Sequence, residues 1–162
     1  MLILLDLDGT LINTVHPGWK PYKDGLQDYP IANIPVIDGA REFIASRKLK
    51  GDTLVVVSDS HPRYVVPLAR MFDIEALSLA DKPNSKKLNE YLASKPQYKQ
   101  MVDDGKCLFI GDTKLDIELG RRIGAMTCWI LPYLVGNEIK DNRDGIGDEM
   151  GIRKLGPTFS VK

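Results

Sequence analysis

Continuously apolar runs alternate along this chain with segments of helical spacing, and that alternation limits the possible folds more than any other feature. The apolar runs lack the polar alternation of half-exposed strands, which is typical of strands buried on both faces. They are residues 2–5, 53–57, 76–79, 107–110 and 127–131. The helical segments are residues 38–48, 62–72, 84–94 and 113–123. This order predicts an α/β fold in which a parallel sheet carries helices on both faces.

The composition is that of an ordinary globular chain, and its 162 residues suit one domain spanning residues 1–162. Lysine plus arginine equals aspartate plus glutamate at 22 each, so the net charge does not indicate binding to nucleic acid or to an anionic membrane. The apolar runs are too short to cross a bilayer, and Asp6 interrupts the first run too early for a signal peptide. We therefore expect a cytoplasmic protein with no membrane partner.

The two cysteines, Cys107 and Cys128, both lie in apolar runs and are too far apart in sequence for a CxxC motif. We expect two buried free thiols in a reducing compartment. A disulfide between them is the alternative.

Two stretches have no regular pattern. Residues 13–35 are rich in proline and are expected to form a loop or a small flap. His16 and Trp19 lie in this flap, where they could contact a leaving group or pack the loop. Residues 133–162, rich in glycine, aspartate and asparagine, are expected to form a C-terminal tail.

Four carboxylates, one hydroxyl and one amine fall where the predicted strands end, at the edge where parallel sheets carry their binding sites. These groups belong to Asp6, Asp8, Asp112, Asp116, Ser58 and Lys82. Clustered carboxylates repel one another unless a cation neutralises them, and an all-oxygen ligand set favours a hard cation. The sequence therefore predicts a magnesium site at this edge.

The same residue types suit the transfer of a phosphoryl group. An aspartate held beside a cation stays ionised and can attack phosphorus. A second carboxyl two residues further on can give and take the proton of the leaving group. Lysine and serine side chains can hold the phosphoryl oxygens.

Taken in order, these residues resemble the four motifs of the haloacid dehalogenase (HAD) superfamily of phosphohydrolases. The motifs are Asp6-Leu-Asp8-Gly-Thr10, Ser58 at a strand end, Lys82-Pro83, and Gly111-Asp112-Thr-Lys-Leu-Asp116. The resemblance covers roughly residues 1–132. It implies a three-layer Rossmannoid sheet, in agreement with the alternation of strands and helices.

The resemblance also implies a magnesium-dependent phosphatase that works through an aspartyl phosphate on Asp6. Asp8 would be the general acid and then the base that activates water. Asp6, Asp112 and the backbone carbonyl of Asp8 would bind magnesium. Asp116 would support the metal or orient Lys82.

Phosphate binding would fall to Ser58, Lys82 and Thr10, with Thr10 also holding the loop that follows the first strand. Lys86 and Lys87 lie close to Lys82 in sequence, but their spacing is more typical of a solvated helix face.

Several neighbouring residues have two interpretations. Asp59, Ser60 and His61 could contact the substrate or cap the helix that begins near Pro62. Asp116 could instead only cap its own helix or form an ion pair on it.

The gaps between the motifs leave no room for a folded cap domain of useful size, which many HAD proteins place over small substrates. We therefore expect a capless or minimally capped member acting on a bulky or extended phosphorylated substrate. A nucleic-acid end, a phosphoprotein and a large phosphorylated metabolite all fit that description. The sequence does not indicate an oligomeric state.

Two alternatives come from other functional classes. The first is a receiver-like signalling domain, which also uses an aspartyl phosphate and magnesium but places its motifs in another order. The second is a binding module with the HAD fold that has lost activity. No nucleophile or ligand is missing from the four motifs, which argues against such a loss.

Overall fold

The computed structural model of the chain describes residues 1–14 and 34–130, together with the backbone of residues 159–161. Its strands are β1 (Leu2–Leu5), β2 (Thr53–Val57), β3 (Glu75–Leu77), β4 (Cys107–Gly111), β5 (Met126–Ile130) and β6 (Phe159–Val161). Its helices are α1 (Ala40–Leu49), α2 (Pro62–Met71), α3 (Lys86–Ala93), α4 (Pro96–Asp103) and α5 (Lys114–Arg122).

All six strands pair in parallel, in the order β3-β2-β1-β4-β5-β6. β1 lies between β2 and β4, and its Leu5 is in register with Val56 on one side and Ile110 on the other. The chain order reverses between β1 and β4, and in open parallel sheets such a reversal opens a crevice at the carboxyl ends of the strands. Receiver domains have a different strand order, 2-1-3-4-5, so the observed order does not favour the receiver-like alternative.

Side chains that alternate along the central strands build a separate core on each face of the sheet. Ile3 and Leu5 point to the face covered by α1 and α2. Leu2 and Leu4 point to the face covered by α3, α4 and α5. This burial on both faces explains why the strands read as continuous apolar runs, and it confirms the three-layer arrangement.

The predicted strands and helices are confirmed within a few residues at their ends, but two elements were not predicted. α4 begins at a proline and has only eight residues. β6 lies in the segment that the sequence analysis described as an irregular tail. Residues 15–33, with His16 and Trp19, and residues 131–158 lie outside the described part of the chain.

Both cysteines are buried and free, as expected, and no disulfide joins them. Burial raises the pKa of the Cys107 thiol to about 12, so it stays protonated at neutral pH. Among the described residues, no helix is long and apolar enough to span a membrane.

Candidate active site

β1 delivers Asp6 to the carboxyl edge of the sheet. The backbone N–H of Asp6 donates to the carbonyl of Ile110 at 2.9 Å, which extends the pairing of β1 with β4 by one residue. The loop that follows is closed by N–H groups of Leu11 and Ile12, both of which donate to the carbonyl of Leu7 at 2.9 Å. The apolar side chains of this loop are buried, so the core holds the loop in place. Asp6 is consequently only 4% exposed.

Asp112 directly follows β4 and lies against the loop that carries Asp6. A Cβ atom on Gly9 would come within 2.1 Å of Asp112 Oδ2, so only glycine leaves room for the carboxylate there. Gly9 also has a φ of +84°, which other residues adopt at a cost. The indole of Trp129 donates to the backbone carbonyl of Asp112 at 3.2 Å and fixes this end of β4 against β5.

Lys82 joins two of the carboxylates. Its ammonium donates to Asp6 Oδ1 and to Asp116 Oδ1, each at 2.6 Å, and its side chain is 6% exposed. The segment that carries it is held from β2, because the N–H of Lys82 donates to Asp59 Oδ1 at 2.9 Å. Burial alone would lower the pKa of Lys82, but the charges and hydrogen bonds of Asp116 and Asp6 raise it above its ordinary value. Lys82 is therefore a permanent cation in the site.

Asp116 is fully buried and both of its oxygens are in use. Oδ1 accepts from Lys82, while Oδ2 accepts from the N–H of Thr113 at 3.0 Å and from its hydroxyl at 2.6 Å. Thr113 caps the start of α5 in a reciprocal capping box with Asp116. Gly111 makes this possible, since a Cβ there would lie 2.4 Å from the Asp116 Cβ. Helix capping and the orientation of Lys82 are thus both functions of one carboxylate.

Asp8, two residues after Asp6, contacts the segment that follows β2 and the first turn of α2. The hydroxyl of Tyr64 donates to Asp8 Oδ1 at 2.6 Å, and the hydroxyl of Ser60 lies 3.3 Å from Asp8 Oδ2. His61 caps α2 and accepts the N–H of Arg63 on Nδ1.

Ser58 and Thr10 are buried and carry hydroxyls at this edge. Ser58 follows β2, and its Oγ accepts the N–H of Ser60 at 3.1 Å. The Oγ1 of Thr10 has no hydrogen-bond partner among the residues that the structure describes. A buried hydroxyl in that state is suited to a polar ligand.

Burial and the neighbouring carboxylates both act on the charge state of Asp6. The pKa of Asp6 is raised well above its ordinary range, chiefly by burial and next by the negative charge of Asp116, whereas Lys82 opposes the rise. Lys82 therefore does not offset the combined effect of burial and negative charge on the pKa of Asp6. A cation beside Asp6 would lower that pKa and keep the carboxylate ionised.

Solved structures match the chain over nearly its whole length. A predicted phosphoglycolate phosphatase from Haemophilus somnus is 17% identical, with 98% of this chain and 92% of that chain covered and a TM-score of 0.68. A HAD family hydrolase from Deinococcus radiodurans, with bound phosphate and sodium, is 15% identical over 99% and 90%, with a TM-score of 0.66. A D,D-heptose bisphosphate phosphatase from B. bronchiseptica, complexed with magnesium and phosphate, is 15% identical over 99% and 92%, with a TM-score of 0.59.

The chain has the fold of the HAD superfamily. No protein-family model and no curated protein matches the sequence. At these low identities the solved structures show only the fold of this chain. The chemistry of the site must be inferred from the chain's own residues.

Three residues of this HAD-fold site could approach a metal ion. Oxygens of Asp6, Asp112 and Asp116 lie within 4.8 Å of one another and are buried. Asp116 already uses both oxygens on Lys82 and Thr113, which suits a supporting role. Asp6 and Asp112 are therefore the better direct ligands, and an all-oxygen pair of this kind fits a hard divalent cation.

The structure brings Asp6, Lys82, Asp112 and Asp116 into one buried cluster at the predicted edge. Asp8, Ser58 and Thr10 lie at the same edge on the adjoining segments. Lys86 and Lys87 are exposed, as their spacing indicated.

Three residues of the segment after β2 make three different contacts. His61 caps the helix, Asp59 holds the backbone of Lys82, and Ser60 contacts Asp8. Sequence reasoning missed Tyr64 and Thr113, whose contacts with the site depend on the tertiary fold. The only available signal for Thr113 was its position three residues before an aspartate at a helix start.

Proposed function

We propose that this protein is a magnesium-dependent phosphatase that hydrolyses a phosphate monoester through an aspartyl phosphate on Asp6. The observation that carries the proposal is the buried carboxylate of Asp6 at the end of β1, hydrogen-bonded to Lys82 and grouped with Asp112 and Asp116. A nucleophile, a fixed cation and a candidate metal site converge at one point. That combination is what transfer of a phosphoryl group requires.

In the first step, a carboxylate oxygen of Asp6 attacks phosphorus and the bond from phosphorus to the leaving oxygen breaks. Asp8 gives its proton to that oxygen, so the alcohol or phenol leaves neutral. In the second step, Asp8 takes a proton from water, and the water oxygen attacks phosphorus. Inorganic phosphate departs and the carboxylate of Asp6 is restored.

The remaining residues hold charge in place. Lys82 and Ser58 would bind the phosphoryl oxygens, and Thr10 offers a further hydroxyl close to the loop of Asp6. Magnesium held by Asp6 and Asp112, with the backbone carbonyl of Asp8, would neutralise negative charge that Lys82 alone leaves unbalanced. Asp116 would keep Lys82 directed at Asp6.

The direct test is hydrolysis of p-nitrophenyl phosphate by the full chain with magnesium, with excess chelator, and after magnesium is restored. We expect turnover only in the first and third conditions, and none in Asp6→Asn under any condition. Activity that survives chelation, or that survives in Asp6→Asn, would refute the mechanism. A protein that binds phosphate but never turns over would support the inactive binding module instead.

The substrate is proposed to be bulky or extended. The stretch between β1 and β2 contains the described α1, and only residues 15–33 remain there for a cap. A segment of that length is too short for a folded cap domain, so discrimination would come from surfaces around the site or from a neighbouring subunit. A phosphorylated macromolecule or large metabolite can contact such surfaces, whereas a small ester cannot.

A panel of 3′- and 5′-phosphorylated oligonucleotides, phosphopeptides and sugar phosphates tests this point, compared by kcat/KM. Sedimentation of the same preparation gives the oligomeric state. A monomer that prefers a small metabolite over every extended substrate would overturn the proposed substrate class while leaving the phosphatase mechanism intact.

A further inference from the structure

Tyr64 lies in the first turn of α2, and its side chain is 4% exposed within the core of that face of the sheet. Its hydroxyl leaves the apolar core at one point, where it donates to Asp8 Oδ1 at 2.6 Å. The start of α2 is fixed by the His61 cap and by Pro62, so the ring cannot shift without moving the helix. A rigid donor is thus directed at one oxygen of the proposed general acid.

The hydroxyls of Tyr64 and Ser60 contact different oxygens of Asp8. Oδ1 accepts the short bond from Tyr64 at 2.6 Å, and the Ser60 hydroxyl lies at the longer distance of 3.3 Å from Oδ2. An oxygen that accepts a short hydrogen bond from a fixed donor is a poor place for a proton, because two hydrogen atoms would then lie between the same two oxygens. The proton that Asp8 carries therefore belongs on Oδ2.

We propose that Tyr64 is a positioning residue for Asp8: it occupies Oδ1, fixes the plane of the carboxyl and leaves Oδ2 to deliver a proton to the leaving group. The proposal rests on the phosphatase function proposed above and adds a determinant that lies outside the four motifs. The proposed effect of Tyr64 on the reaction is through its hydrogen bond to Asp8.

The test compares two esters that differ in their need for a proton donor. The p-nitrophenolate ion leaves readily without a proton, whereas the phenolate ion of phenyl phosphate is a poorer leaving group and benefits from general acid. The ratio kcat/KM reports the steps up to departure of the leaving group, so later hydrolysis of the phosphoenzyme does not obscure it. Tyr64→Phe keeps the ring and removes only the hydroxyl.

For Tyr64→Phe we expect kcat/KM to fall about 10- to 100-fold with phenyl phosphate and less than about twofold with p-nitrophenyl phosphate. An equal fall with both esters would mean that Tyr64 only supports the fold, and it would overturn the proposal. In an Asp8→Asn background, Tyr64→Phe should add nothing further to the loss with phenyl phosphate. An additive loss there would also overturn it.

Tyr98→Phe is the matched control. Tyr98 is another buried tyrosine whose hydroxyl donates to a carboxylate, Glu75, at 2.8 Å, but Glu75 begins β3 at the opposite end from the site. We expect Tyr98→Phe to leave the ratio between the two esters unchanged. An equal change in the control and in Tyr64→Phe would count against a specific role for Tyr64.

Ser60→Ala keeps the proposal testable if Tyr64→Phe does not fold. It removes the hydroxyl that lies 3.3 Å from Oδ2, and we expect a smaller loss of the same kind, also greater with phenyl phosphate. A loss that is equal for both esters would contradict the role assigned to Oδ2. Wild-type protein that hydrolyses neither ester would refute the phosphatase function, which is a separate outcome from a variant that loses both equally.

Discussion

Lys82 lies between two buried carboxylates, and neither of those carboxylates has another side-chain cation within salt-bridge distance among the described residues. Removing one partner of a buried ion pair leaves an uncompensated buried charge. The free-energy cost of that charge exceeds the net stabilisation that the intact pair provided. Loss of Lys82 would therefore change the site in two ways. The phosphoryl oxygens would lose a fixed positive charge, and Asp6 and Asp116 would repel each other without relief.

Lys82→Ala should reduce turnover about 10²- to 10³-fold, the usual scale for the loss of one preorganised electrostatic contact. Lys86→Ala is the matched control, because Lys86 lies four residues away on the exposed start of α3. We expect it to be close to silent. If Lys86→Ala were the damaging change, the assignment of the lysine motif would be wrong.

A second prediction concerns Gly111. The side chain of Asp116 occupies the space that a side chain at position 111 would need. A Cβ there would lie 2.5 Å from Asp116 Oδ2, so Gly111→Ala must displace Asp116 and with it Lys82. Misplacement of a catalytic group by about 1 Å costs on the order of 10²-fold in rate. We expect a loss of that size in kcat for p-nitrophenyl phosphate.

The control for crowding alone is Gly120→Ala. A Cβ on Gly120 would meet Thr127 Cγ2 at 2.7 Å and Phe109 Cβ at 2.8 Å, where α5 packs on the sheet. Both variants should lose stability by about 1–3 kcal/mol, the usual cost of overpacking. Only Gly111→Ala should lose activity per folded molecule, and equal activity loss in the two would show that general destabilisation is responsible.

At the scale of elements, sequence patterns predicted the strands and helices that have a clear apolar pattern and missed one short helix and one short strand. β1, β2 and β4 are apolar on both faces, so their positions followed from composition alone. α4 was missed because its apolar side chains are few and it directly follows α3, although Pro96 is a helix-start signal. β6 has three residues, too few for a pattern.

The site divides in the same way. The motif residues were predictable because strand ends in a parallel sheet gather at one edge. The contacts of Tyr64 and Asp59 were not predictable, because they depend on how the segment after β2 packs against two loops that are distant in sequence.

The α3–α4 pair is attached to the edge strand β3 by Glu75. This carboxylate accepts from Tyr91 at 2.7 Å, from Tyr98 at 2.8 Å and from Lys95, whose ammonium lies over both rings. The hydrogen bond from Lys95 is the main cause that lowers the pKa of Glu75 in the fold, with smaller contributions from the tyrosines, while burial opposes them. This contact lies at the start of β3, away from the site at the carboxyl edge of the sheet.

A lowered pKa means that the stabilisation is present above the ordinary pKa of glutamate, 4.5, and disappears as the pH falls through the lower value of the folded state. Glu75→Gln should therefore unfold at lower urea concentration than wild type at about pH 7, and this difference should shrink by about pH 3. Glu75 is half exposed, so we expect the effect to stay below about 1 kcal/mol. A constant effect of Glu75→Gln across the range would contradict this account.

At the scale of the whole molecule, the fold gathers negative charge at one edge of the central strands. Asp6 follows β1 and Asp112 follows β4, and these strands are neighbours in the sheet, so their carboxylates are brought together whenever the sheet forms. Folding must then overcome their repulsion and the cost of burying them. A cation that binds only the folded chain would offset both, and its effect should appear in stability as well as in activity.

Magnesium should consequently raise the melting temperature of the full chain. A ligand at 100 times its Kd adds about 2.7 kcal/mol, which corresponds to roughly 5–10 °C for a chain of this size. Asp112→Asn removes one of the repelling charges, so in chelator its melting temperature should be at least as high as that of wild type. Its melting temperature should rise little when magnesium is added. Asp103→Asn, an exposed carboxylate change on α4, should respond to magnesium as wild type does.

Thermal scans at constant ionic strength, with sodium chloride in place of magnesium chloride, separate site binding from general screening of charge. A wild-type chain whose melting temperature ignores magnesium, or an Asp112→Asn variant that responds fully, would contradict a metal site at the ends of β1 and β4.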